Sequence, residues 1–359
     1  MTDLVVRPLA AGEENLFDSM PDPLPQLRQV AYADGLAGGG YRPERTWVAL
    51  RGGRVVARAA WVLPPGAIGE PWLERFDLAA EPEAGAALLH AAHEALGGPQ
   101  LYYAALPAHW RHRAEVRAVA EAPMAAARLA GLVEQGERLR LTWTGAPLPA
   151  FSGRYTFRPA ADHAEINDLV ARIARPDVLT GREVALAVRG VDLATEPLAW
   201  LNSPAGAWRI ALRAGEPVGL VGTAGDACYP LIAYLGLLDE AVRAELLAEA
   251  VRVLAEGGAR EVVADADAHR VATVAELERT GFRQVRSRIV FAPAPSEAKG
   301  TLSGAPRSHR VPFGRPPHRP GPAVTCGVAW KAQIPATVLR RRPCPTRRCG
   351  PMSASGRSG

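Results

Sequence analysis

Four consecutive pieces of the chain decide the reading of its fold: WRIALRAGEPVGLVG (208–222), LIAYLGLLDEAVRAELLAEAVRVLAEGG (231–258), EVVADADAHR (261–270) and TGFRQVRSRIVF (280–291). The first predicts two strands joined at Gly215, and the second opens with a strand, Leu231–Leu238, that is apolar at nearly every position, as a strand covered on both faces is. A helix follows from Val242 to Leu254. Leu246, Leu247, Ala250, Val251 and Leu254 form one wide apolar stripe on it, and Gly257-Gly258 ends it. Glu261–Asp265 is a buried-type strand, a second helix closes at Gly281-Phe282, and Val285–Phe291 is the last strand. This order predicts an α/β (α+β layered) fold with helices packed on a mixed, mostly antiparallel sheet.

The pattern occurs twice. Leu4–Pro8 and Tyr155–Pro159 both end in Arg-Pro, offset by 151. Ala49–Gly53 matches Ala211–Gly215, and Ala130-Gly131-Leu132 matches Thr280-Gly281-Phe282, at offsets of 162 and 150. Three matches in the same order argue for a duplication. The expected organisation is an N-terminal domain over 1–145, a linker over 146–153, a C-terminal domain over 154–295 and a tail over 296–359. In the first domain the pattern predicts a hairpin about Gly52-Gly53, a strand at Trp72–Leu78 and a helix at Glu83–Leu96. Further strands are expected at Leu101–Leu106 and Arg138–Trp143, with a helix at Met124–Leu132. In the second, a helix is expected over Asp162–Ala174, ended by Pro176.

The net charge of +5 misleads. Residues 296–359 hold ten Arg and two Lys against Glu297 alone, so the rest of the chain is net acidic. That tail lacks periodicity and reads as disordered. Its Arg340–Arg342 and Arg347-Arg348 are the only stretch suited to nucleic acid, and no interleaved aromatics support such a partner. Three of the four cysteines lie there too, leaving Cys228 alone in a domain, so no disulfide framework is implied. No apolar run is long enough to span a membrane, and the N-terminus lacks the form of a signal peptide, so a cytoplasmic location is expected.

The strand end Tyr234-Leu235-Gly236-Leu237-Leu238 before a helix, Ala264-Asp265-Ala266-Asp267 at a strand end and Thr280-Gly281-Phe282 before the last strand together resemble the GNAT N-acetyltransferase superfamily. The resemblance implies two tandem GNAT-like domains, the first degenerate. It implies transfer of an acetyl group from acetyl-CoA to a primary amine of a small molecule or peptide. The cofactor would lie between strands 231–238 and 261–267, with its pyrophosphate at the head of helix 242–254. Expected cofactor-binding residues are Leu237, Leu238, Val242, Arg243, Ala244 and Arg270, with backbone N–H groups near Leu237 and Leu238 polarising the thioester. Asp267, His269 and Asp226 are the candidates for the general base.

Two departures from the family pattern keep a second reading open. Asp239–Glu245 has no glycine where the family's phosphate-binding loop has two, and about four residues are missing. Leu277 stands where members often carry an acidic Tyr. A helix head capped by Asp239, with no cofactor, fits the same residues, and the chain is then a non-catalytic binding or dimerisation module. Leu78–Gly85, the first copy's counterpart, is acidic with one glycine. His90 and His93, and His109 and His112, have no further ligands beside them, so no metal site is expected. Homo-oligomerisation stays open.

Overall fold

The computed structural model describes residues 3–294 apart from 28–30, 68, 202 and 226–229. The tail read as disordered, and Asp226 and Cys228, lie outside the described residues. The first half runs β1 (Leu4–Pro8), α1 (Glu14–Asp18), α2 (Tyr32–Ala37), β2 (Thr46–Arg51), β3 (Arg54–Val62), β4 (Trp72–Leu78), α3 (Pro82–Ala95), β5 (Tyr102–Pro107), α4 (Ala114–Leu129) and β6 (Leu132–Trp143). The second runs β7 (Thr156–Pro159), α5 (His163–Arg172), β8 (Val178–Leu179), α6 (Arg182–Arg189), α7 (Pro197–Trp200), β9 (Trp208–Arg213), β10 (Glu216–Ala224), β11 (Leu231–Leu237), α8 (Arg243–Glu256), β12 (Val262–Asp267), α9 (Val271–Arg279) and β13 (Phe282–Pro293).

All the strands form one thirteen-stranded sheet in the order β1-β2-β3-β4-β5-β13-β6-β12-β8-β11-β10-β9-β7. Only β4–β5 and β11–β12 pair in parallel. Each half gives its last strand to the other: β13 lies against β5, and β6 lies against β12. The two exchanged strands also pair with each other along their whole length, from Phe282↔Trp143 to Pro293↔Leu132.

That exchange corrects the predicted strand ends. β6 begins at Leu132, six residues earlier than the apolar pattern placed it, because Glu134, Gly136 and Glu137 are held by the ladder to β13 rather than by burial. The α4 helix is also longer than expected. Val116, Ala120, Met124 and Ala127 pack into the core, and this packing carries the helix through Pro123 against the residue's local preference.

The duplication reappears as paired local structure. Arg7 grips Glu13 through both terminal nitrogens (2.6 and 2.8 Å), and Glu13 also accepts the Ala10 N–H. Arg158 grips Glu165 in the same way, with the Ala161 N–H on the same carboxylate. Both fourth-position strands carry a bulge. The ladder to β3 skips Glu74 on β4, and the ladder to β10 skips Ala233 on β11. Helices cover both faces. One core lies under α5–α7 and the first two helices, a second under α3 and α4, and a third under α8 and α9.

Candidate functional site

A bulge bends its strand and breaks pairing locally. After Leu231↔Val263 and Ile232↔Ala264, β11 and β12 part at Ala233, and the opening faces the first turn of α8. This is where acetyl-CoA is expected, and the chain itself fills it. The two-residue strand β8 enters between the parted strands and pairs with both: Leu179 opposite Tyr234, and Val178 opposite Leu235 and Ala266.

Local sequence aims the segment. Pro176 keeps the residue before it extended after α5, and Gly181, at φ +84°, makes the left-handed turn into α6. Val178 and Leu179 then point into cores on opposite faces of the sheet. The Asp177 N–H donates to the Leu235 carbonyl (2.7 Å) and the Thr180 N–H to the Ala233 carbonyl (3.0 Å). The Thr180 hydroxyl donates to the Ile232 carbonyl and accepts the Asp265 N–H (2.9 Å). The edges that would receive a ligand's amides are thus satisfied by backbone and a hydroxyl.

The head of α8 is closed as well. Arg243 Nε donates to Asp177 Oδ2 (2.8 Å), and the Thr273 hydroxyl donates to the same oxygen (2.7 Å). Arg270 lies 3.6 Å from Asp177 Oδ1 and donates to the Pro176 carbonyl. Both arginines expected at a phosphate are therefore committed to residues 176 and 177. The Leu238 N–H donates to the Val218 carbonyl and is not free for a thioester. Val242 is fully buried, and Ala244 is half-buried in the first turn. Asp239 accepts the Ala241 N–H (3.0 Å) and caps the short turn that leads into the helix. The residues of this half fit CoA poorly, since the slot is filled by residues 177–180 and Arg243, Arg270 and the Leu238 N–H already have internal partners.

Of the general-base candidates, Asp267 is held by Arg138 Nη1 (2.8 Å) and His269 is exposed on the loop after β12. A row of charges crosses the centre of the sheet. Arg140 grips Asp265 through two nitrogens (2.7 and 2.8 Å), and Arg138 also pairs with Glu183 (2.9 Å), which lies 3.5 Å from Arg288. Burial pushes the Asp265 carboxyl up, but Arg140, Arg288 and Arg138 outweigh it and hold it below its ordinary value. The sequence signal was the period-two pairs Arg138/Arg140, Asp265/Asp267 and Arg286/Arg288, each on one face of a strand.

In the first half, β4 and β5 meet at Leu73↔Tyr102 and then part. The head of the helix beside them, α3, is poor for phosphate. Pro82 has no N–H, and Glu81 and Glu83 flank it with negative charge. A Cβ on Gly85 would lie 2.6 Å from a Leu78 methyl and 2.9 Å from Ala126, so this glycine serves packing rather than close approach to a ligand. Glu74, the bulge residue, was missed by sequence reasoning. It reads as one acid in a polar-apolar alternation, and only the parting of β4 from β5 makes it notable. Burial lifts its carboxyl to about 6, against the opposing pull of Arg288 and Arg286. Burial, with Arg140 and Arg288, brings Arg286 down to about 10.

No helix among the described residues is long and apolar enough to cross a membrane, and no His, Cys, Asp and Glu cluster there could hold a metal ion. No family model matches the chain, and no curated protein matches it in sequence. Solved structures do. A GCN5-related N-acetyltransferase from Sphaerobacter thermophilus is 14% identical, with 80% of this chain and 94% of that one covered and a TM-score of 0.50. A tandem GNAT protein from the clavulanic acid biosynthesis pathway is 17% identical over 82% and 100%, with a TM-score of 0.37. A GCN5-related N-acetyltransferase from Kribbella flavida is 13% identical over 68% and 88%, at 0.41. At such identities the first similarity speaks to the fold. With its two bulged, parting strand pairs and helices on both faces of the sheet, this chain has a GNAT-like fold.

Proposed function

We propose that this chain is a non-catalytic member of the GNAT superfamily, a binding module in the cytoplasm. In it the C-terminal cofactor slot has become a closed structural seam. The single observation behind this reading is the insertion of residues 177–180 between β11 and β12, with Asp177 on Arg243 at the helix head. To admit the pantetheine arm of CoA, that segment would have to give up its backbone bonds to Ala233 and Leu235 together with a buried ion pair. Breaking such a pair costs about 3–5 kcal/mol by itself.

Calorimetric titration of the full chain with CoA and with acetyl-CoA tests this. The expected result is no saturable heat and no rise in melting temperature at millimolar ligand. Ligand at ~100-fold over its Kd would stabilise a binding protein by about 2.7 kcal/mol, well within detection. Such a rise overturns the proposal.

One observation favours a second reading, acetyl transfer from acetyl-CoA to a primary amine of a small molecule or peptide. Among the described residues no strand fills the gap between β4 and β5, and Glu74 beside it has a carboxyl near 6, suited to taking a proton from an amine. Against it stand Pro82, Glu81 and Glu83 at the head of α3. Release of free CoA thiol from acetyl-CoA with an amine panel, abolished by Glu74→Gln, would establish the second reading over the first.

A further inference from the structure

The two halves touch away from the parted strands, where the loop before β4 meets the end of α6. The Gly69 N–H donates to the Val188 carbonyl (3.0 Å). A Cβ on Gly69 would lie 1.7 Å from the Ala187 carbonyl oxygen, so only glycine lets the two backbones come so close. Beside this contact is a cleft of about 320 Å³ lined by Glu70, Pro71, Gln100, Leu101, Leu186 and Arg189. Clefts that hold ligands run from roughly 300 to 1,000 Å³, so this one is sized for a small metabolite and not for a nucleotide cofactor.

Its chemistry is two-sided. Gln100 is buried, and its amide, oriented to donate, reaches Glu70 Oε2 at 3.1 Å and the Pro71 carbonyl at 3.2 Å. The Glu70 carboxylate is thereby fixed at one wall while its other oxygen stays available. At the other wall the Arg189 guanidinium lies over the Trp200 ring, 5.4 Å from its centre. No described carboxylate lies within ion-pair distance of Arg189. Stacking holds a guanidinium in place and leaves its in-plane N–H donors free. Between the charges the wall is apolar, and Leu186 is 44% exposed there, a large side chain left in water by the fold.

We infer that this cleft binds a small α-amino acid with an apolar side chain, its ammonium on Glu70, its carboxylate on Arg189 and its side chain against Leu101 and Leu186. The site is independent of the slots between the parted strands, so a CoA titration and an amino-acid titration fail or succeed separately.

The test is calorimetry and thermal shift on the full chain with L-leucine, L-methionine and L-phenylalanine up to about 10 mM. At least one binds saturably. Its amino alcohol, which lacks the carboxylate, and its N-acetyl form, which lacks the ammonium, bind about tenfold more weakly or worse, as loss of a charge-assisted hydrogen bond predicts. Arg189→Ala weakens the amino acid about tenfold and leaves the amino alcohol unchanged. Glu70→Gln, which keeps an acceptor for Gln100, weakens the amino acid and leaves the N-acetyl form unchanged. Both positions are exposed, and unaltered circular dichroism confirms that each variant folds. Absence of binding by all three amino acids, equal binding of the analogues, or binding unmoved by both substitutions overturns the inference.

Discussion

Asp177 and Arg243, sixty-six residues apart, form an ion pair of 2.8 Å that ties the segment after α5 to the first turn of α8. Asp177 is 6% exposed and Arg243 14%. The Thr273 hydroxyl and Arg270 complete the carboxylate's surroundings. A ligand phosphate would need the same arginines and the same helix head, and the chain supplies its own anion there.

Removing that anion leaves Arg243 without its buried partner. Asp177→Ala is expected to lower unfolding stability by about 3 kcal/mol, and Asp177→Asn by less, because the amide oxygen still accepts from Arg243 and Thr273. Urea denaturation with an unchanged m-value measures it. A loss below ~0.5 kcal/mol for the alanine variant would mean that the pair contributes no more than a surface one.

The exchange of last strands makes the halves interdependent. Expressed alone, residues 1–150 would present β6 without β12 and leave β5 with no partner on its far side; residues 151–295 would lack β6 on both β12 and β13. Each fragment is expected to be unfolded or aggregated, and co-expression to give a one-to-one complex, because unpaired strand edges associate. Size-exclusion chromatography and circular dichroism decide it. A soluble, cooperatively unfolding single fragment would contradict the role given to the exchange.

Glu74 gives the stability a pH dependence of defined sign. Its folded pKa of about 6 lies above the ordinary 4.5, so between those values the native state holds a proton that the unfolded state has lost. The associated stability is fully present below 4.5 and is lost as pH rises through about 6, amounting to about 2 kcal/mol. Glu74→Gln should therefore be more stable than wild type at pH 7 and equal to it at pH 4.5 by urea melts.

His93 acts in the opposite sense. Burial, with the nearby His90, lowers it from 6.5 to about 4, and it packs edge-on against Trp61 with ring centres 6.0 Å apart. The native state resists protonation, so the contribution is present above 6.5 and is lost as pH falls towards 4. His93→Leu, which removes a buried Nε2 that has no hydrogen-bond partner, should flatten this acid limb. An acid limb unchanged in the variant would place the loss elsewhere.

Much of this architecture was legible locally. The strand at 231–237 and the stripe on α8 follow from periodicity within a dozen residues, and Asp239 signals a helix start by its position alone. The absence of glycines after Leu238 was equally visible, and it left both a shortened phosphate loop and a capped helix head open. The site was less legible. Pro176–Thr180 has the composition of any loop, and two residues are too few to show a strand's alternation. Its pairing with Leu235 and Ala266 depends on where β11 bends. Arg138 and Asp267 were each visible as charges, but their contact joins residues 129 apart through strands that belong to different halves.

The sequence by itself determined the order of elements, their duplication and the loss of the glycine loop, because backbone propensity, side-chain period and capping act over one or two turns. Only the tertiary structure decided that β6 and β13 change places, that β8 closes one pair of parted strands, and that Glu74 faces the other. Those outcomes depend on which strand edges are left unpaired after collapse. Hydrogen bonds between distant strands carry no mark in the local pattern of either partner.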